Sequence, residues 1–370
     1  MGLALTGALC PARVPRVSHD GKDGYPRLAQ MIYALSEPGG YFDSDNLISN
    51  ETSYLQVSET LSAEVPKGGV YLGVGPDQNF TYIAQLRPRW AFILDVRRQN
   101  MLEHLLFNAL FAEANDPYQY LCRLFSRPCP TKTPAETGSG IEGTLRALEA
   151  VAPSEAAFAA NLKAAQRHVE GRLGVALTLQ DRADLESVYR AFFDEQLDIR
   201  FRTHRRPWAG NHPSYATLLV ERSPGGRFGH FLASAEAYGV VRDLERSGHV
   251  VPVVGDFAGP QALRAIGHLL RERDEHVSVF YLSNVEFYLL RNDALDRFAA
   301  NLKELPLGPD SLFIRACFNY GRAHPAGIPG HRSTTLLQRI PRFLELEAEG
   351  AYQTYWDLCT LDYLHREETP

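Results

Sequence analysis

The chain reads as an α/β protein with a doubly wound, mostly parallel sheet and a helical insertion between its second and third strands. Three observations predict this. An apolar run over residues 70–74 passes through a turn at Gly73 and Gly75 into a segment of helical spacing, and a second apolar run, residues 90–94, ends on Asp95. Further short apolar runs alternate with amphipathic segments from residue 230 onward. Between these two stretches, residues 115–205 carry helical periodicity and no strand signal of comparable strength. Strands alternating with helices imply parallel pairing with helices on both faces.

The elements follow in order. Residues 1–35 are an N-terminal tail with a short helix near 26–35. Residues 36–114 form the first half of the sheet domain. Pro38, Gly39 and Gly40 make a polar loop, and Ser49 is a good N-cap for a helix over residues 50–63. That segment is read either as only a capped helix or as a lid over the glycine turn. Residues 77–86 read as the helix after the first strand. Residues 101–114 read as an amphipathic helix with Leu102, Leu105, Leu106, Leu110 and Phe111 on its core face. Residues 115–229 form the insertion and a Gly/Pro-rich connector, with helices over 141–151, 155–173 and 181–197. Residues 230–370 complete the domain: helix 232–246, strand from 249, helix 260–273, strand 276–282, helix 293–302 and strand 311–318. A helix over 332–349 and a short strand at 352–356 end it.

Composition narrows the function. The 370 residues are 45% hydrophobic, enough for a large core. A net charge of −6 disfavours nucleic-acid binding. No apolar run is long enough for a membrane span. Five scattered cysteines without a Cys-x-x-Cys pair exclude a finger-type zinc site and fit a reducing, cytoplasmic compartment. No metal site is expected. A nucleophile elbow and a phosphate-binding P-loop motif are both missing. The local basic patch at 201–208 is expected as a solvated loop, with contact to a phosphate or carboxylate as the alternative.

In a doubly wound sheet, ligands bind beyond the carboxyl ends of the strands. The first strand ends in Gly73, Gly75, Pro76 and Asp77, followed by Gln78 and Asn79; the second ends in Asp95; the third in Gly255, Asp256 and Phe257; the fourth in Ser283, Asn284 and Glu286; Asn319 and Tyr320 follow the fifth. Strand, glycine turn, helix, strand and acid, with Asp95 twenty residues after Gly75, is the plan of a nucleotide-binding βαβ unit whose acid bonds ribose hydroxyls. Gln78 stands where a dinucleotide fingerprint has its third glycine, which disfavours NAD and FAD and leaves room for a cofactor without pyrophosphate. His324 and His331 flank a Gly/Pro loop and are candidate bases, with a surface role as the alternative.

The order of Gly73-x-Gly75, Asp95, Gly255-Asp256 and Ser283-Asn284-Val285-Glu286 resembles the motifs of the Rossmann-like class I S-adenosylmethionine-dependent methyltransferases. The strings Ile48-Ser-Asn-Glu-Thr52, Gly75-Pro-Asp-Gln-Asn-Phe80, Gly255-Asp-Phe257 and Tyr281-Leu-Ser-Asn-Val-Glu286 also resemble a bacterial family of uncharacterised proteins with a methyltransferase-like fold. The resemblance covers about residues 36–350. It implies that Gly73, Gly75, Pro76, Asp77, Gln78 and Asn79 pass the methionine moiety. Asp95 would then bind the ribose, and Asp256 with Gly255 and Phe257 would meet the adenine. Asn50, Glu51 and Ser283 complete the cofactor-binding set, and Asn284 and Glu286 face the acceptor as catalytic residues, with a cap for the following helix as the equal alternative for Glu286. The sequence departs from the family in its long insertion and in having Ser-Asn-Val-Glu where amino methylators carry Asx-Pro-Pro-aromatic.

The expected function is thus a transferase using S-adenosylmethionine on a small-molecule acceptor. The alternative is a methyltransferase-like binding or scaffold protein without turnover. An NAD(P)-dependent oxidoreductase is the weakest reading. Neither the acceptor nor the oligomeric state is encoded in a recognisable motif.

Overall fold

A computed structural model describes residues 25–130, 133–204, 212–318 and 321–364. Among them six strands form one sheet: β1 Val70–Gly73, β2 Trp90–Asp95, β3 Val250–Val254, β4 Val277–Ser283, β5 Leu307–Phe318 and β6 Ser333–Arg339. Their order is β3-β2-β1-β4-β5-β6. All neighbours pair parallel except β5 and β6, which are antiparallel. The sheet is therefore α/β, mixed and mostly parallel. The chain winds outward from β1 to β3, then restarts beside β1 with β4, so the strand order reverses between β1 and β4. Two neighbouring strand ends diverge there and open a crevice.

β1 and β3 are buried along their whole length, and β2 and β4 nearly so, which is why their sequences are continuous apolar runs without alternation. Helices α1 (Tyr25–Leu35), α2 (Ser58–Glu64), α3 (Gln78–Leu86) and α4 (Arg98–Glu113) belong to the first half. Helices α5 (Pro117–Leu124), α6 (Ile141–Glu149), α7 (Glu155–Arg167), α8 (Leu179–Glu195), α9 (Tyr215–Leu219) and α10 (Ala235–Arg246) lie between β2 and β3. Then come α11 (Ala262–Glu272), α12 (Val285–Arg291), α13 (Leu295–Leu302), α14 (Ile340–Ala348) and α15 (Tyr355–Thr360).

The inserted helices share the core of the sheet. Their buried Leu148, Phe158 and Tyr189 belong to the same apolar cluster as β1 and β2. Phe80 of α3 sits at its centre, with ring centroids 5.8, 5.4 and 5.3 Å from Phe107, Phe111 and Phe231. The amphipathic pattern of α4 predicts one wet face. Instead every residue from Asn100 to Phe111 is buried, because α8, α10 and α7 cover the side away from the sheet. Asn108 meets this burial by donating to the carboxylate of Glu245 on α10 at 2.7 Å, while both carboxylate oxygens of Glu103 are buried without a hydrogen-bond partner among the described residues.

Several expectations are corrected. The helix over 50–63 is broken: residues 49–51 are irregular, Thr52–Leu55 is one 3₁₀ turn, and α2 starts at Ser58. Ser49 Oγ accepts from the Glu51 amide at 3.1 Å, a local turn that competes with helix. Residues 333–339 are strand β6, not helix, and only Ile340–Ala348 is helical. Residues 352–356 hold no strand; a Thr354–Asp357 capping box starts α15 there. Helices α5, α9 and α12 were not expected from the sequence. Two of the five thiols are not free, since Cys317 and Cys359 form a disulfide. Asn319, Tyr320, the tail before residue 25 and residues 205–208 of the basic patch lie outside the described residues. Among the described residues, no helix is long and apolar enough to cross a membrane.

Candidate functional site

A cavity of about 480 Å³ lies beyond the carboxyl ends of the strands, at the point where the strand order reverses. Small-molecule sites commonly fall in the ~300–1,000 Å³ range. Of the residues singled out in the sequence, Asn50, Glu51, Gly75, Pro76, Asp95, Gly255, Asp256, Phe257, Ser283 and Asn284 line it. Gly73, Asp77, Gln78, Asn79 and Glu286 do not.

The glycine turn after β1 is held from behind. Asn79 Nδ2 donates to the carbonyls of Val74 at 2.9 Å, Gly75 at 3.3 Å and Pro76 at 2.7 Å, while Tyr71 donates to Asn79 Oδ1 at 2.9 Å. A Cβ on residue 73 would lie 1.9 Å from Asn79 Oδ1. Gly73 is therefore required by the Asn79 clamp rather than by a ligand. Gly75 has φ +80°, the left-handed region that glycine occupies without strain, and it faces the cavity. His104 of α4 lies 2.8 Å from the Gly75 carbonyl through Nε2. Burial lowers its pKa to about 4, so the ring is neutral and donates its Nε2 proton to that carbonyl. Asp77 points inward and accepts from the Tyr215 hydroxyl; burial raises its pKa to about 7.

Glu51 is fully buried yet lines the cavity. Its carboxylate accepts from Gln78 Nε2 at 3.1 Å, from the Tyr281 hydroxyl at 3.0 Å and from the Ser283 hydroxyl. All three partners are neutral. Burial pushes the Glu51 pKa upward, and these hydrogen bonds oppose that shift without cancelling it. Gln78 also bonds the Tyr281 hydroxyl at 2.8 Å, so its function is to hold this network rather than to touch a ligand.

Asp95 closes β2 and is 5% exposed. It accepts from the Arg97 amide at 2.9 Å, from Arg97 Nε at 3.0 Å and from Arg97 Nη2 at 2.7 Å. A carboxylate offers about four acceptor positions, so roughly one remains. Asp256 is exposed at the cavity edge, with Oδ1 accepting from the Ala258 amide at 2.9 Å. Gly255 is small because a Cβ would come 2.4 Å from the Cβ of Ala262, which lets α11 pack against β3. Phe257 packs on Phe298 and Phe280 at 5.6 and 4.9 Å and shows the cavity only part of its surface. Glu37, from the loop after α1, accepts from the amides of Asp256 at 2.8 Å, Gln261 at 3.0 Å and Ala262 at 3.4 Å.

Glu286 lies off the cavity wall. It lies in the first turn of α12, 2% exposed, with Oε2 2.9 Å from Arg315 Nε and Oε1 accepting from Arg315 Nη2 at 3.1 Å. Arg315 also donates to Gln338 Oε1 at 2.6 Å and to the Leu358 carbonyl. This ion pair joins α12 to β5, β6 and α15, and it turns the carboxylate away from the cavity. His324 is likewise structural: its ring bonds the Cys359 carbonyl at 3.0 Å and accepts from the Ala326 amide at 3.0 Å. Neither it nor His331 lines the cavity.

Sequence reasoning missed the rest of the wall. Tyr41, Phe42, Phe201, Tyr288 and Phe318 supply aromatic surface, and His212, Arg297 and Arg332 supply the basic groups. Phe201 opens the 201–208 basic patch and His212 lies in the connector, both more than 100 residues after the Gly75 turn, and no local motif marks His212.

Fold and site together define an α/β protein with a mixed six-stranded sheet, a helical insertion folded into its core and a pocket at the strand ends. A family model described as "Domain of unknown function (DUF7790)" matches residues 46–355, and the chain belongs to that family. No curated protein matches it.

Proposed function

We propose that the chain is an S-adenosylmethionine-dependent methyltransferase acting on a small-molecule acceptor. The observation that carries this reading is the common wall formed by Gly75, Glu51, Asp95 and Asp256 in one cavity at the strand-order reversal. Ligands of doubly wound sheets bind at such points, and Glu51 and Asp256, wall carboxylates outside any ion pair among the described residues, suit a cationic nucleoside better than a phosphate-bearing one. The class I plan ends in an antiparallel strand pair. Here that pair is β5–β6 with β6 at the sheet edge, so the strand order departs from the family arrangement there.

S-adenosylmethionine supplies a methyl group activated by a positively charged sulfur. In this reading the residues around it bind and orient. Asp95, with about one acceptor position left beyond Arg97, takes one ribose hydroxyl. Asp256 reaches the adenine edge, and Glu51 faces positive charge from within a cage of neutral donors. Ser283 and Asn284 stand at the end of β4 where an acceptor would be oriented, and orientation accounts for most of the catalysis in such a displacement. With Glu286 locked to Arg315, the acceptor must arrive deprotonated or lose its proton to another group.

Isothermal titration with S-adenosylmethionine and S-adenosylhomocysteine tests the reading. Saturable binding that weakens about tenfold in Asp256→Ala is expected, the usual worth of one charge-assisted hydrogen bond. No heat at millimolar ligand would remove the proposal. The withdrawn Glu286 favours a second reading, a binding protein without turnover. Incorporation of label from a radioactive methyl donor into a cell extract would decide against that one.

A further inference from the structure

The pocket is electrically lopsided, and the strand order shows how. Along its rim the chain places Asp256 after β3, Asp95 after β2, Gly75 after β1, Ser283 with Glu51 after β4, Phe318 at the end of β5 and Arg332 just before β6. The carboxylates thus occupy the β3-to-β4 part of the rim, and the β5–β6 end has none of them.

That far end has its own character. Phe318 pairs with Ser333 across the antiparallel ladder, which sets Arg332 beside it. His212 packs edge-on to Phe201, with ring centroids 5.0 Å apart, and lies close enough to Arg332 for the guanidinium to disfavour its protonation, adding to the effect of burial. Arg332 is exposed and has no ion-pair partner among the described residues, although fourteen other arginines take part in the ion pairs found there. The third basic residue of the wall, Arg297, belongs to the opposite end. It lies one helical turn before Asn301, which holds the carbonyls of Phe257 and Gly259 beyond β3.

We propose that the β5–β6 end is a subsite for an aromatic carboxylic acid, with its ring against Phe201 and Phe318 and its carboxylate on Arg332. Elsewhere on the rim an anion would meet the carboxylates of Glu51 or Asp256, and Asp95 there is already paired with Arg97. An aromatic ring finds flat apolar surface here together with an unpaired guanidinium, the side chain suited to bidentate carboxylate binding. The description of this acid as the methyl acceptor rests on the proposed transfer function; its binding does not.

The test uses the full chain and ligand-observed NMR titration with benzoate and 4-hydroxybenzoate, and with benzamide as the neutral isostere. Calorimetry with S-adenosylhomocysteine runs in parallel on wild type and Arg332→Gln. The acids are expected to bind about tenfold more tightly than benzamide, and Arg332→Gln to erase that ratio while leaving the adenosyl ligand's affinity unchanged. Equal binding of benzamide, benzoate affinity retained within about twofold in Arg332→Gln, or no acid binding at ~10 mM would each overturn the subsite. Acid binding without any S-adenosylhomocysteine heat would support the subsite and remove only the methyl-donor reading. Because Arg332 is exposed and makes no ion pair among the described residues, an unchanged melting temperature is the folding control.

Discussion

Two buried glutamates flank the end of β4 and are treated in opposite ways. Glu286 is held by an arginine in a closed ion pair that ties four elements together. Glu51 is equally buried, touches only an amide and two hydroxyls, and faces the cavity. Burial and residue type are the same in both, so they do not separate structure from function. The partner does: a carboxylate whose charge is already compensated is part of the framework, and one held by neutral donors keeps its field available to whatever enters the pocket.

The comparison breaks most visibly at the ion pair. Glu286→Ala leaves Arg315 buried and unpaired and should cost about 3–5 kcal/mol in denaturant unfolding. The double variant Glu286→Leu/Arg315→Met should recover most of that loss. If the single change cost less than about 1 kcal/mol, the framework role of Glu286 would fail. Next comes the turn that presents the pocket floor. Gly73→Ala drives a methyl group into the Asn79 clamp and should cost about 1–3 kcal/mol, read by the same unfolding curves.

Glu51→Gln is the mirror experiment. It removes a buried, uncompensated charge and keeps a side chain that hydrogen-bonds, so stability at pH 8 should stay within about 1 kcal/mol of wild type or rise. Affinity for S-adenosylmethionine should fall about tenfold, measured by calorimetry. A large loss of stability with affinity intact would place Glu51 in the framework beside Glu286.

The smallest effect sharpens the pH side of the contrast. Glu245 is a third buried acid with a neutral partner, Asn108, and burial raises its pKa to about 8. Its folded-state value lies above its ordinary one, so the native state holds the proton more tightly. The stability this confers is complete below about pH 4.5 and is lost as pH rises toward 8, by up to ~1.4 kcal/mol per pH unit. Glu245→Gln should flatten the fall in melting temperature between pH 5 and 8.

Much of the front half of the molecule was legible because its signals are local. The β1 turn, α3, β2 and the terminal Asp95 are contiguous, and their apolar runs end where the strands end. Glu51 and Asn50, which line the cavity, were named through the string Ile48-Ser-Asn-Glu-Thr52 that carries the family resemblance. What escaped is pairing at a distance. Arg315 lies 29 residues from Glu286, and nothing near either residue announces the other. β6 is buried on both faces, so Thr334, Thr335, Leu336 and Leu337 lose the alternation that would have separated strand from helix. The disulfide spans 42 residues, and cysteine spacing alone cannot reveal it. Arg332 and His212 enter the pocket wall only through the antiparallel ladder and the insertion.

Glu37 has a bearing on what the pocket refuses. Its carboxylate sits on the free amides at the start of α11, the place where an open helix end would otherwise welcome a phosphate. The chain has supplied its own permanent counter-charge at that spot. A phosphorylated visitor entering from the β3 side would have to evict an oxygen pair already bonded three times over, whereas an uncharged purine meets no such incumbent.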